Sequence, residues 1–353
     1  MFNAKYNATT NQSTALSCIP ISIRVLVCLS VVALRVSAQQ VTVTPEELQW
    51  FPGVADSNSP LHWRNGQMIV FNSDGMPVRS EGTDVTNLRR VRAVKLDSYA
   101  HVPMWIEATH VEPDGTLFAW YHHEVGAGCE GRSLSAPEIG MLVSTDNGIS
   151  FSDLGIILTS GETPDCTAEN GYFAGGNGDF SVLLDEEGKF FYIYYSNYAG
   201  PLSAQGIAVA RLAYEDRFSP AGNVWKRYGG EWKEAGLGGL SQAVLRAAVS
   251  WASPNTDAFW GPSVHYNTYL NKYVLLMTRA CCEPGWPPEG IYISYADDLA
   301  NPEGWSPPRQ ILANVGWYPM ALGLGSGETD KRVSQRARLF VGSDSRWVLT
   351  FLK

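Results

Sequence analysis

Residues 259–279 read FWGPSVHYNTYLNKYVLLMTR. Apolar and aromatic residues alternate with polar ones on both sides of a polar turn, the pattern of two antiparallel strands joined as a hairpin. The phrase recurs as SPLHWRNGQMIVFNS (59–73), EATHVEPDGTLFAWYHHE (107–124) and DFSVLLDEEGKFFYIYYSN (179–197). A fifth version, YPMALGLGSGETDKRVSQRARLFVGS (318–343), has an expanded hairpin loop. Further strand-like runs fit between the hairpins: IGMLVST (139–145), GIAVARLAY (206–214) and GIYISYA (290–296). STDNGISF (144–151) has the S-x-D-x-G-x-x-F spacing of an Asp-box turn, a structural motif without catalytic content. Long amphipathic helical patterns are nearly absent, and the best helical stretch, Gly239 to Val249, is short. Five hairpin units separated by additional strands predict an all-β fold, a five-bladed β-propeller. A two-sheet sandwich is the alternative, but its repeat would not space similar hairpins so regularly.

The first residues are set apart from this pattern. Val25 to Leu34 form an apolar run preceded by Lys5 and Arg24 and followed by Val36-Ser37-Ala38, the small-x-small pattern of a cleavage site. Residues 1–38 are therefore expected to be a secretion signal, and 39–353 a single propeller domain, secreted or periplasmic. The run is too short for a bilayer-spanning helix, so no membrane association is expected after cleavage.

The signal carries three positive charges and no negative ones, so its removal takes the formal charge from −9 to −12. An acidic chain of this kind is a poor partner for nucleic acid. Charged residues make up 17% and aromatic residues 12%, the balance of a well-packed globule with an aromatic-rich surface or cleft. Six cysteines are present, two of them in the signal. Cys129, Cys166, Cys281 and Cys282 remain, and in an oxidising compartment they are expected to form disulfides, with three pairings open. The spacing lacks a CxxC pair, which argues against structural zinc.

The phrases WGPSVHYN (260–267), DFSVLL (179–184) and IYISYADDL (291–299) resemble the blade phrases of five-bladed propeller glycoside hydrolases. The resemblance is to the arabinanase/xylosidase-type family 43, with the related invertase-like and mannoside-phosphorylase-like propellers, and it marks the chain as a divergent member. It implies that the innermost strand of each blade starts at the mouth of a central funnel, where acidic residues carry the chemistry. Aligned on Gly261, that position holds Ser59, Glu107, Asp179, Gly261 and Tyr318 in blades one to five. The resemblance breaks at two places: Ser59 stands before Pro60 where the family has a base Asp, and Trp260 stands where it has an acid Glu.

Glycosidic cleavage needs a proton for the leaving oxygen and a base or nucleophile opposite it. Glu107, between apolar neighbours that would raise its pKa, is the candidate acid, and Asp56 or Asp179 the base. Asp179 best matches the family's middle carboxylate, which tunes the acid and orients substrate. Asp56 lies in an Asp-Ser-Asn-Ser turn where local hydrogen bonding also accounts for it. Hairpin reversal returns the second strands to the same mouth, which brings in His122, His123, Asn197 and Arg279 as substrate contacts. Adjacent strand residues face opposite ways, so only one of His122 and His123 is expected to face the funnel. Trp260 and Trp317 are candidate stacking platforms for sugar rings, and the Gly-rich segment 167–179 reads as a rim loop. Arg279 would suit an anionic sugar or phosphate, with a surface ion pair as the other reading.

The expected reaction is hydrolysis of an oligosaccharide or polysaccharide by a monomer, with inversion suggested by the resemblance. A non-catalytic glycan-binding propeller and a glycoside phosphorylase are the rivals. No cofactor is required by this chemistry. A structural calcium ion in the channel near His265 is the one metal the resemblance allows.

Overall fold

The recurring hairpins fold as the inner halves of five β-sheets arranged as a five-bladed β-propeller in the computed structural model, which describes residues 40–353. The expected signal at 1–38 lies outside the described residues. Blade one contains Leu61–Arg64, Gln67–Ser73, Pro77–Gly82 and Arg89–Ala93. Blade two runs outward from Met104–Val111 through Leu117–Gly126 and Ser135–Ser144 to Ser150–Leu158. Blade three starts at Asn177–Leu184, continues through Phe190–Asn197 and Gly206–Ala213, and adds further strands outside them. Blade four contains Ala258–Asn267, Lys272–Ala280, Pro288–Ala296 and Arg309–Ala313.

Blade five closes the ring. Its strands Pro319–Gly323, Arg336–Val341 and Asp344–Leu352 are completed by Gln40–Trp50, which pairs antiparallel with Asp344–Leu352. The expanded loop of the fifth hairpin also has a role: Arg332–Val333 pairs parallel with the innermost strand of blade four. The segment read as weakly helical does not form a helix. Ala243–Arg246 is a strand on the edge of Gly206–Ala213, a long-range pairing that local propensity does not reveal.

Each blade-to-blade seam has its own apolar layer. Ile69 and Phe71 meet Ile106 between blades one and two, and Trp120 meets Phe191 between two and three. Tyr194 meets Leu275, and Leu276 meets Leu339, across the next two seams. Leu61 and Val70 meet Phe340 across the last seam, where Phe51 stacks on Phe340 at 4.0 Å. Strands buried on both faces explain why these hairpins read as aromatic-rich runs and not as clean alternation.

The Asp-box forms the expected turn. Asp146 Oδ1 accepts from the Ser150 N–H at 2.9 Å, and Ser144 Oγ accepts from the Gly148 N–H at 2.9 Å. Gly148 has φ +77°, and a Cβ there would lie 2.4 Å from Phe71 Cζ. The four cysteines pair as Cys129–Cys166 and as the adjacent Cys281–Cys282.

Candidate active site

Three of the residues aligned on Gly261, in blades two, three and four, share a backbone irregularity. The innermost strands are bulged between Ile106 and Ala108, between Gly178 and Phe180, and between Trp260 and Ser263. The residues pushed out of register are Glu107, Asp179 and the Gly261-Pro262 pair. A bulge leaves one residue unpaired and re-aims its side chain, which is how Glu107 and Asp179 come together from neighbouring blades. Asp179, Gly261 and Tyr318 also share positive φ values of 37°, 57° and 57°.

Glu107, His122 and Asp179 form one buried cluster, with their ligand-type atoms all within 4.8 Å of one another. His122 Nδ1 is 3.0 Å from Glu107 Oε1, and the Phe180 N–H donates to Glu107 Oε2 at 3.0 Å. Both oxygens of Glu107 are therefore occupied beneath the surface. The Tyr198 hydroxyl donates to Asp179 Oδ2. His122 Nε2 has no hydrogen-bond partner and lies 3.6 Å from Glu124 Oε1. Gly178 allows this close packing: a Cβ there would lie 2.9 Å from Pro137 Cβ and 3.3 Å from His122 Nε2.

Burial raises Glu107, with His122 partly offsetting it. Burial likewise pushes Asp179 up to about 7, against the opposing pull of His122. For His122 burial acts downward, but Glu107, Glu124 and Asp179 together outweigh it and raise the imidazole to about 10. The cluster thus holds a protonated imidazole among carboxyl groups, one of which keeps its proton near neutral pH.

Above the cluster lies a cavity of about 270 Å³, lined by Asp56, Asp179, His122 and Glu124. Its aromatic wall comprises Trp105, Tyr172, Phe173, Trp260, Trp286, Trp317 and Tyr318. Asp56 is exposed at the mouth; partial desolvation, then the neighbouring Asp74 and Glu124, raise its pKa. Trp105 stacks on His122 at 5.1 Å. An open cleft of about 450 Å³ adjoins the cavity and shares Glu124, Tyr172 and Phe173 with it. Asn170 shapes that rim: its Oδ1 accepts from the Tyr172 and Phe173 N–H groups, and its Nδ2 donates to Trp251 O.

Of the residues expected at the site, Asp56, Asp179, His122, Trp260 and Trp317 line the cavity, and Glu107 supports it from below. His123 faces the other way, bonded to Pro103 O at 2.9 Å, as strand alternation requires. Asn197 is occupied in tying Ala199 O and Ala204 O. Arg279 does not line the cavity: Asp257 grips it through two 2.8 Å contacts, and Glu289 takes a third at 2.8 Å. Ser59 accepts from Asn72 Nδ2 at 3.0 Å. Tyr172, Phe173, Trp286 and Tyr318 were not singled out by sequence as contacts, although Tyr318 occupies the aligned position in blade five.

No protein-family model matches the sequence, and no curated protein does. Among solved structures, the chain is similar to a thermostable family-43 glycoside hydrolase at 12% identity and TM-score 0.52, over 86% of this chain and 91% of that one. It is similar to an endo-arabinase from Bacteroides thetaiotaomicron at 12% identity and TM-score 0.52, over 87% and 98%. An exo-beta-1,3-galactanase from Phanerochaete chrysosporium matches at 16% identity and TM-score 0.51, over 89% of this chain and 65% of that one. The chain therefore has the five-bladed propeller fold of these glycoside hydrolases, at an identity that marks it as divergent.

Proposed function

We propose that this protein is a secreted glycoside hydrolase whose cavity holds the sugar beside the scissile bond. The observation that carries the reading is the pairing of Glu107 and Asp179 at equivalent bulges of adjacent blades, beneath a cavity walled by aromatic rings. Apolar rings with a few convergent polar groups suit a sugar, whose ring faces are apolar and whose rim is hydroxylated.

In this scheme Asp179 is the acid, because it lines the cavity and burial keeps its proton on to about pH 7. Its carboxyl gives that proton to the leaving oxygen as the bond from the anomeric carbon to that oxygen breaks. Asp56, at the mouth, takes a proton from the water whose oxygen attacks the anomeric carbon. Glu107 acts as a positioning residue: it fixes the His122 ring and the Phe180 N–H and so the bulge that presents Asp179. This differs from the sequence expectation of Glu107 as acid, because both its oxygens are already occupied.

A phosphorylase is disfavoured, since among the described residues no Lys or Arg lines the cavity and Arg279 is paired elsewhere. His265 is buried with both ring nitrogens unpartnered, and burial lowers it to about 3, so it offers a neutral ligand. It belongs to neither candidate metal cluster among the described residues, and a lone imidazole does not supply the oxygen ligands that calcium takes, so no reaction step is routed through an ion there.

The test is sugar release from a broad panel of oligosaccharides and aryl glycosides, by wild type beside Asp179→Asn and Glu107→Gln, with and without phosphate. Wild-type turnover lost in Asp179→Asn supports the scheme. Turnover that survives in Asp179→Asn removes Asp179 as the acid. Saccharide binding without turnover by any of the proteins favours a glycan-binding propeller.

A further inference from the structure

The concave surface does not end at the cavity wall. The cavity holds about 270 Å³, just below the range of about 300–1,000 Å³ usual for ligand pockets, whereas the adjoining cleft holds about 450 Å³. Glu124, Tyr172 and Phe173 line both, so a molecule too large for the cavity has a continuous path past them into the cleft.

The cleft is built from loop segments, yet they are laced together. The Ser135 N–H donates to Tyr172 O at 3.0 Å and the Ala174 N–H to Ser135 O at 2.8 Å, which joins the start of Ser135–Ser144 to the rim loop. Cys129–Cys166 links the two sides covalently, and the Arg132 guanidinium donates to Cys166 O and Ala168 O. Walls fixed before a ligand arrives cost little ordering entropy when it binds.

On this rim Tyr172 is 46% exposed, the most exposed ring of the aromatic wall. It is nevertheless held in place. Its N–H donates to Asn170 Oδ1 at 2.6 Å, and its ring lies 4.8 Å from that of Trp286, centre to centre. A fixed tyrosine with open ring surface offers a large amphipathic contact at low entropic cost, and the apolar face of a sugar ring matches it. Resting on the glycosidase reading, we propose that the substrate is a saccharide chain whose reacting sugar occupies the cavity while the next sugar lies in the cleft, stacked on Tyr172. Tyr172 is then the residue that selects chains over single sugars.

The test is titration calorimetry on Asp179→Asn, in which binding is read without turnover. Monosaccharides are compared with oligomers of two to five sugars from the arabinose, xylose, galactose and glucose series. In the series that binds, the second sugar should tighten binding by at least about tenfold. Adding Tyr172→Ala should remove most of that gain, whereas Tyr172→Phe, which retains the ring, should keep it, with circular dichroism unchanged. Ser133→Tyr, which fills the cleft away from the cavity, should also remove the gain. A ring that only props Trp286 would make Tyr172→Ala weaken monosaccharides and oligomers alike. That result, an affinity independent of chain length, or a gain that survives Tyr172→Ala overturns this inference and leaves the glycosidase reading to wild-type sugar release. Failure of every saccharide to bind, together with no turnover by wild type, overturns both.

Discussion

Asp179 adopts φ +37°, a conformation that a non-glycine residue holds only when its surroundings impose it. Tyr198, His122 and the bulge impose it here, and the same burial that fixes the side chain keeps its proton on. Activity should therefore decline as pH rises through about 7, and Asp179→Asn should lower kcat by at least about 10². Stability has a definite sign as well. Asp179 is raised from 3.8 to about 7 and His122 from 6.5 to about 10, so across both windows the folded chain binds more protons than the unfolded one. These two groups therefore make stability fall as pH rises. Replacing Asp179 with Asn removes the lower window: between pH of about 5 and 7, calorimetry should find the variant's Tm falling less than that of wild type. A steeper fall in the variant would contradict the assignment. Glu107→Gln should lower kcat more than it raises KM, because Glu107 orients His122 and the bulge without reaching the cavity.

At the scale of the element, the turn residues made the hairpins legible. Asn65 and Gly66 both have positive φ, as do Gly115, Gly188 and Asn271, and each marks the chain reversal expected from its neighbours. The bulges were half legible: the alignment put Glu107, Asp179 and Gly261 at one offset, but not the out-of-register backbone that these three share. The rim was legible only in part. Asp56 and Trp317 were expected at the site, whereas Tyr172 and Trp286 come from irregular segments whose course is set by long-range contacts such as Asn170 to Trp251 O. The Asp-box gives a direct test of an element. Gly148→Ala forces a Cβ against Phe71 in a left-handed conformation, and should cost about 2–4 kcal/mol in a denaturant titration. Likewise, Cys129–Cys166 closes a 37-residue span beside the cleft, and replacing both with Ala should cost about 2–4 kcal/mol in the same assay.

At the scale of the molecule, stability is distributed over five seams, so no single core decides it. Asn58 fastens the centre, donating to Pro262 O at 3.0 Å and Phe180 O at 3.4 Å, and so joining the approach to blade one with blades three and four. The outer fastening is Gln40–Trp50 on Asp344–Leu352. Deleting residues 40–50 should expose a long edge strand, lower Tm by at least about 10 °C and promote aggregation, as read by light scattering during a melt.

That fastening also sets a schedule. Thr42 and Thr350, which meet across it, are 308 positions apart. During synthesis the first strand emerges early and has no partner until the last has been made. The ring can be completed only after Asp344–Leu352 has been made, so Gln40–Trp50 waits unpaired while the blades between them are synthesised. Closure of this propeller is thereby tied to the arrival of the nine-residue strand Asp344–Leu352, and a chain cut short before it would leave the earlier blades unsealed.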